Sequence, residues 1–260
     1  MTRTMMMIAA ALLLAAPAAA QDLAPPAPDA ALAVKIIDDM ETRMRGKSSV
    51  GEFEMYIKRW DRTLRMKFWE LYPDKSLVKI TAPAEDAGKG SLKLGKDLWT
   101  YDPNIDQVQK IPPSLMLDSW MGSDFSNDDV SRSSSIKLDY DVGAPEAGKI
   151  GEVVTWRITL TPKPDSPVVW EREVVEVAQD DYRPLRQEYY DEKGRLARVM
   201  LFDDFRPLTI DGEERLYPYR WRMENHQEKG RYTEMRVKEM EFKDKMSKKR
   251  FSIRALKKGR

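Results

Sequence analysis

Along the chain, apolar residues recur first every three or four positions and then every second one. Leu32, Ile36, Met40 and Met44, with Ile37 beside them, fall on one side of a helical wheel. A Pro- and Ala-rich linker over residues 21–28 precedes them, the Asp29 carboxylate can accept from the free N–H groups of a first turn, and Gly46 supplies a stop. The spacing therefore predicts an amphipathic helix beginning at about residue 29 and ending near Gly46. Such a helix needs an apolar surface to lie on.

From Phe53 the period is two. Phe53, Met55 and Ile57 alternate with Glu54, Tyr56 and Lys58, and past a turn at Asp61 the residues Leu64, Met66 and Phe68 alternate with Arg65, Lys67 and Trp69. The alternation continues through Val78 and Ile80, Leu92 and Leu94, Trp99 and Tyr101, and Val154, Trp156, Ile158 and Leu160. It returns over residues 168–177, 185–190, 196–202, 216–223 and 232–242. Turn sequences such as Asp102-Pro103-Asn104 and Lys229-Gly230 separate these runs. About ten or eleven strands in meander order predict a mainly β protein with helices, built on an antiparallel sheet that curls instead of staying flat. The 168–177 strand is apolar on both faces, so its orientation is left open.

Two stretches break the meander. One spans residues 112–135 and contains SWMGSDFSNDD, where Leu115, Met116, Leu117, Trp120 and Met121 predict a short helix after Pro112-Pro113. The other is the basic tail from Lys243, which carries Phe251, Ile253 and Leu256 and reads either as a cap on the fold or as a docking segment. Neither has the length of a separate unit, so residues 29–260 are expected to form one domain. At the start, Arg3, the apolar run from Met5 to Ala16, Pro17 and Ala18 to Ala20 have the order of a secretory signal peptide. The run is shorter than the ~20 residues of a membrane span. Residues 1–20 are expected to be cleaved after Ala20 on export.

Candidate chemistry changes this picture little. Lys and Arg number 44 against 43 Asp and Glu, which gives no general attraction for nucleic acid. With no cysteine there is no disulfide, thiolate metal site or cysteine nucleophile. The one histidine, His226, lies beside a turn and reads as solvated. Asp102, Asn104 and Asp106 have the spacing of a calcium loop, but Gln107 and Pro113 stand where its glycine and glutamate belong, so a hairpin turn is expected. Gly88-Lys89-Gly90-Ser91 lacks the first glycine of a phosphate loop, since Pro83 holds that place. Asp124, Asp128 and Asp129 match no standard cation loop; the expectation is that Ser126 or Asn127 starts a turn and the three carboxylates face water. No acid, base, nucleophile or metal constellation emerges, so neither enzymatic activity nor a cofactor is expected.

What remains is apolar surface. The chain has 7 Trp and 15 Met, of which only Met1, Met5, Met6 and Met7 fall in the leader. A curved sheet with one apolar concave face, crossed by an apolar helix, is the design of an acyl-chain carrier. The candidate cavity residues are Phe53, Met55, Ile57, Leu64, Met66, Phe68, Trp99, Trp156, Ile158 and Leu160. Leu115, Met116, Trp120, Met121 and Phe125 are candidates for a lid.

The run KDLWTYDPNIDQVQKIPPSLMLDSWMGSDFSNDD, Lys96 to Asp129, resembles the outer-membrane lipoprotein-sorting protein family, the LolA-like and LolB-like proteins of the bacterial periplasm, most closely over Trp120 to Asp129. The resemblance implies a half-open antiparallel β-barrel, its mouth closed by the N-terminal helix and a short helical lid, around a cavity for the acyl chains of a lipid or lipoprotein. It also implies traffic between inner and outer membranes, transient membrane contact and a possible inner-membrane transporter as partner. No functional residue of the family is carried over. A monomer that binds no nucleic acid is expected. The alternative is a lipid-responsive regulatory or assembly module that docks an inner-membrane transporter.

Overall fold

The computed structural model describes residues 28–131, 136–164, 166 and 168–258, so the expected signal peptide and nearly all of the expected linker lie outside the described residues. Helix α1 (Pro28–Arg45) begins one residue earlier than expected. Pro28, placed in the linker by composition, opens the helix, because a residue without an N–H leaves no donor unpaired in a first turn. Asp29 therefore lies within the helix and does not precede it. Gly46, at φ +54°, ends α1 in the left-handed conformation, and its N–H returns to the Thr42 carbonyl at 3.0 Å.

The remainder is dominated by one antiparallel sheet. Its first half comprises β1 (Ser48–Ile57), β2 (Arg62–Leu71), β3 (Lys75–Ala82), β4 (Gly90–Leu94), β5 (Asp97–Asp102), β6 (Gln107–Lys110) and β7 (Tyr140–Val142). Its second half comprises β8 (Glu146–Ile150), β9 (Val153–Pro162), β10 (Arg172–Ala178), β11 (Pro184–Tyr190), β12 (Leu196–Ile210), β13 (Glu213–Asn225) and β14 (Tyr232–Phe242). Short helices α2 (Asn127–Ser131) and α3 (Ile136–Asp139) lie between β6 and β7, and α4 (Ile253–Lys257) lies in the tail.

The strand order is β6-β5-β4-β3-β2-β1-β14-β13-β12-β11-β10-β9-β7, with β8 also on β9. Two meanders are thus welded where β1 pairs with β14, while β6 and β7 remain unpaired edges, which makes the curled sheet a half-open barrel. The sheet has 14 strands where about eleven were expected; the difference is β6, β7 and β8, which are too short and polar to show a period of two. The strand expected over 168–177 starts only at Arg172, because the chain before it leaves the ladder and Trp170 packs on Tyr189 with ring centroids 5.4 Å apart. Val175 and Val177 join the cluster beneath α1, which settles the orientation left open.

Three apolar clusters follow from the register. On the concave face, Phe53 pairs with Met66 and Met55 with Leu64, and these join Phe68, Ile80, Trp120, Phe125, Met200 and Met223. Further along the same face, Ala33, Ile36, Ile37 and Met40 of α1 cover Ile158, Leu160, Val175 and Val177. On the convex face, Phe251 and Leu256 of the tail cover Leu77 and Leu92. The tail is thus a cap.

Gly51 marks the tightest point of the weld. A Cβ there would meet the Glu239 carbonyl and lie 2.6 Å from the Phe68 ring. Gly51→Ala is expected to destabilise the fold by about 1–3 kcal/mol, read as a lower urea midpoint at unchanged slope.

Candidate functional site

The concave face is wider than α1, and the space left over is a cavity of about 310 Å³. Its floor is the sheet: Phe53 from β1, Met66 and Phe68 from β2, Val78 from β3, Tyr189 from β11, Met200 and Phe202 from β12, Tyr217 and Trp221 from β13, and Met235 and Met240 from β14. Its roof is Met40 and Met44 of α1 together with Trp120, Phe125, Val130 and Ile136. Burial pushes the Tyr217 phenol far up, so its ring is a neutral wall.

Of the residues proposed from sequence, Phe53, Met66 and Phe68 line this cavity. Met55, Ile57 and Leu64 share the face and the cluster with Trp120 and Phe125, buried nearer the lid. Ile158 and Leu160, with Trp156 packed against them, lie on the α1-covered part of the sheet. Trp99 does not belong with them: its partner in the ladder is Leu92, on the convex face beneath the tail, and Lys110 sits over its ring at 5.8 Å. A period of two says which residues share a face but not which face is concave.

The lid is a plug tied at many points. Pro113–Leu115 and Trp120–Gly122 form two single 3-10 turns instead of the expected short helix, and Met121 and Gly122 both take positive φ within the second. That reversal drives Trp120 inward to 2% exposure, where its indole N–H donates to the Ser91 hydroxyl at 3.0 Å. Trp120 N–H donates to the Phe125 carbonyl at 2.8 Å, and Trp60 Nε1 to the Gly122 carbonyl at 3.0 Å. Phe125 is buried, whereas Leu115 stays exposed on the outer side and Met116 and Met121 are half-buried.

Two of the three acids of this segment, Asp124 and Asp129, do not face water as expected. Asp124 is 3% exposed: its Oδ1 meets Arg231 Nε at 2.5 Å, its Oδ2 accepts from Thr233 Oγ1 at 2.8 Å, and its N–H donates back to that hydroxyl at 2.9 Å. Asp129 Oδ2 accepts from the Ser126 N–H at 2.7 Å, while Ser126 Oγ accepts from the Asp129 N–H at 3.2 Å, a reciprocal cap that starts α2. Arg198 adds a 3.4 Å contact to Asp129. The turn at Ser126 is as expected; the solvated carboxylates are not, because Arg231 and Thr233 arrive from a strand that is distant in sequence. In the 102–106 turn, Asp102 accepts from the Asn104 N–H at 2.9 Å, and Asp106 accepts from Tyr101 Oη at 3.1 Å and pairs with Lys257 at 2.9 Å.

Opposite the lid, the concave face becomes polar. Ser49, Glu70, Ser76 and Lys93 form one row across β1 to β4, next to the apolar row of Phe68 and Val78. Glu70, Ser76 and Lys93 line the cavity together with Glu41 and Arg45 of α1. Arg45 lies 4.0 Å from Glu70, and Glu41 accepts from the Ile136 N–H at 3.1 Å. Lys93 is 2% exposed and donates to the Pro73 carbonyl at 2.7 Å. Burial, reinforced by Arg45, holds its ammonium down at about 8. Sequence alternation missed this residue because Leu92 and Leu94 made the strand look apolar on the other face.

A sequence model of a family described as "-like: Uncharacterized protein" matches residues 73–258. No curated protein matches the chain. Among solved structures it is similar to an outer membrane lipoprotein-sorting protein domain from Vibrio parahaemolyticus, at 25% identity over 88% of this chain and 100% of that one, with a TM-score of 0.77. A DUF1329 family protein from Desulfovibrio piger aligns at 24% identity over 88% and 99% of the two chains, TM-score 0.77. A LolA superfamily protein from Nitrosomonas europaea aligns at 23% over 86% and 98%, TM-score 0.69. These last two are likenesses of fold.

Two measurements check the site. Asp124→Ala, which leaves the half-buried Arg231 with only the exposed Glu228 as a counter-charge, is expected to lower stability by about 1–3 kcal/mol, and adding Arg231→Met should recover part of it in a chemical denaturation series. Lys93 carries a depressed pKa, so the folded state resists its charge below about 8 and that penalty lifts as pH rises towards 10.5. The wild-type melting temperature should therefore gain across that window relative to Lys93→Met, which has no such proton to lose.

Proposed function

From the LolA/LolB-like family of outer-membrane lipoprotein-sorting proteins, to which this chain belongs, we propose that it is a periplasmic carrier that shields acyl chains of a lipid or lipoprotein on the way between the inner and outer membranes. The chain is a binding protein and not an enzyme. The observation that carries the proposal is the cavity of about 310 Å³, within the range of roughly 300–1,000 Å³ typical of small-molecule sites. Protein interiors are close-packed, with few voids larger than a water molecule, so an apolar space of this size between sheet and roof is room for a guest. Burying apolar area contributes ~25 cal/mol per Å², enough to hold a chain without polar specificity.

Phe53, Met66, Phe68, Met200, Trp221 and Met235 form the apolar sleeve, and Trp120 and Phe125 close one end. Methionines suit such a sleeve because an unbranched thioether adapts to guests of different shape. Among the described residues, no helix is long and apolar enough to cross a membrane. The expected leader, Arg3 to Ala20, is what would deliver the chain to the periplasm.

Organic extraction of protein purified from the periplasm, followed by mass spectrometry, is expected to yield acyl lipid in stoichiometric amount. Met235→Trp should fill the sleeve, keep the melting temperature within a few degrees, and reduce uptake of the uncharged dye N-phenylnaphthylamine at least about tenfold. A folded Met235→Trp protein that takes up dye like the wild type would sink the carrier reading.

A further inference from the structure

The polar row at the end of the sleeve holds an ammonium with unspent bonding capacity. Lys93 has three N–H donors. One goes to the Pro73 carbonyl, and among the described residues no carboxylate lies within ion-pair distance of Lys93. The carboxylates around it are otherwise engaged: Glu70 faces Arg45, and Glu41 accepts from the Ile136 backbone. In the same row the wholly buried Ser49 hydroxyl has no hydrogen-bond partner among the described residues. A buried charge without a counter-charge costs several kcal/mol, and proteins rarely retain one without use. What the row lacks is an acceptor, and an anionic one fits best.

We propose that the Lys93 row is a head-group site, so that the preferred guest is an acyl chain ending in a carboxylate or phosphate, with its head on Lys93 and its tail running past Phe68 and Phe53 towards Trp120. This rests on the carrier reading and adds the polarity and direction of the guest. The register fixes the direction: Lys93 stands across from Ser76, which pairs with Glu70, and the next row of the same face is Phe68 and Val78, followed by Met66 and Ile80. A chain anchored at Lys93 therefore runs over a mainly apolar floor as it extends towards the lid, and Ser91, in the row of Phe68 and Val78, has its hydroxyl engaged by the Trp120 indole N–H. Arg45, at the last turn of α1, supplies a second cation on the same wall. A head-group anion would replace the missing partner with a charge-assisted bond, stronger than a bond to a neutral carbonyl.

The test is displacement of N-phenylnaphthylamine, a neutral dye, by palmitate, by its methyl ester and by palmitoyl lysophosphatidate. The wild-type protein is expected to bind one or both anions about tenfold more tightly than the ester at neutral pH, and the anion preferred identifies the head. In Lys93→Met the ester and dye should bind as before while the preference disappears, and Lys93→Arg should restore most of it. The preference should also fade as pH rises through about 8, where the ammonium loses its proton. The charged groups that face it are Arg45, Glu41, Glu70 and Asp74, and Lys93→Met, which keeps all four, separates their contribution from that of Lys93. Equal binding of all three ligands by the wild type, with dye still taken up, overturns the head-group site and leaves the carrier. Failure of the wild type to take up dye or any of the lipids overturns the carrier reading and this site with it. A preference that survives intact in Lys93→Met also overturns the assignment.

Discussion

The structure depends on a mismatch of widths. A curled antiparallel sheet of 14 strands presents one continuous apolar hollow, and the helix laid into it has 18 residues, about 27 Å of cover. Helix α1 closes the part over β9 and β10, the inserted segment closes the part over β1, β2 and β14, and where the two meet, under Met40, Met44, Trp120 and Phe125, the space is left unfilled. The cavity is therefore not a defect in packing but the remainder of a division. On the convex face the tail returns to cover Leu77 and Leu92 with Phe251 and Leu256.

Charge is treated differently at the two ends of that strip. At the lid, Asp124 is buried together with Arg231 and Thr233, so the carboxylate is desolvated only in company that satisfies it. At the other end, Lys93 is equally buried and has only a carbonyl. The first arrangement fixes a loop in one position, as a structural pair does. The second leaves the ammonium with a neutral acceptor and a pKa depressed by burial, so the stability of the folded protein varies with pH through it.

Much of the fold was legible in the alternation itself. The strand pair of Phe53 and Leu64, the helix from Leu32 to Met44 and the last strand, Tyr232 to Phe242, stand where their periods put them. The strands that escaped notice are short pieces at the sheet edges, such as Gln107–Lys110, where solvent on both sides removes any reason for alternation. The site was less legible because concavity is a property of the whole sheet. Trp99 and Phe68 look alike in sequence, yet one lies under the tail and the other in the hollow. Asp124 looked solvated because its partners stand more than a hundred residues away: Asp124 and Thr233 are 109 apart. By contrast, the cap at Ser126 could be read, since both of its partners are local.

The pairing of β1 with β14 carries a consequence for the order of events in the cell. These strands come from opposite ends of the sheet's sequence, with Ser49 set against Phe242 and Ile57 against Thr233, and among the described residues no other strand pairing joins the halves of the sheet into one ladder. Loop closure over such a separation must precede the contacts that reward it, so this topology folds slowly relative to one built from neighbours. A chain emerging from the ribosome lacks its keystone until nearly its last strand is made. Closure of the half-open barrel therefore waits on synthesis of nearly the whole sheet, and until then each half can pair only with itself.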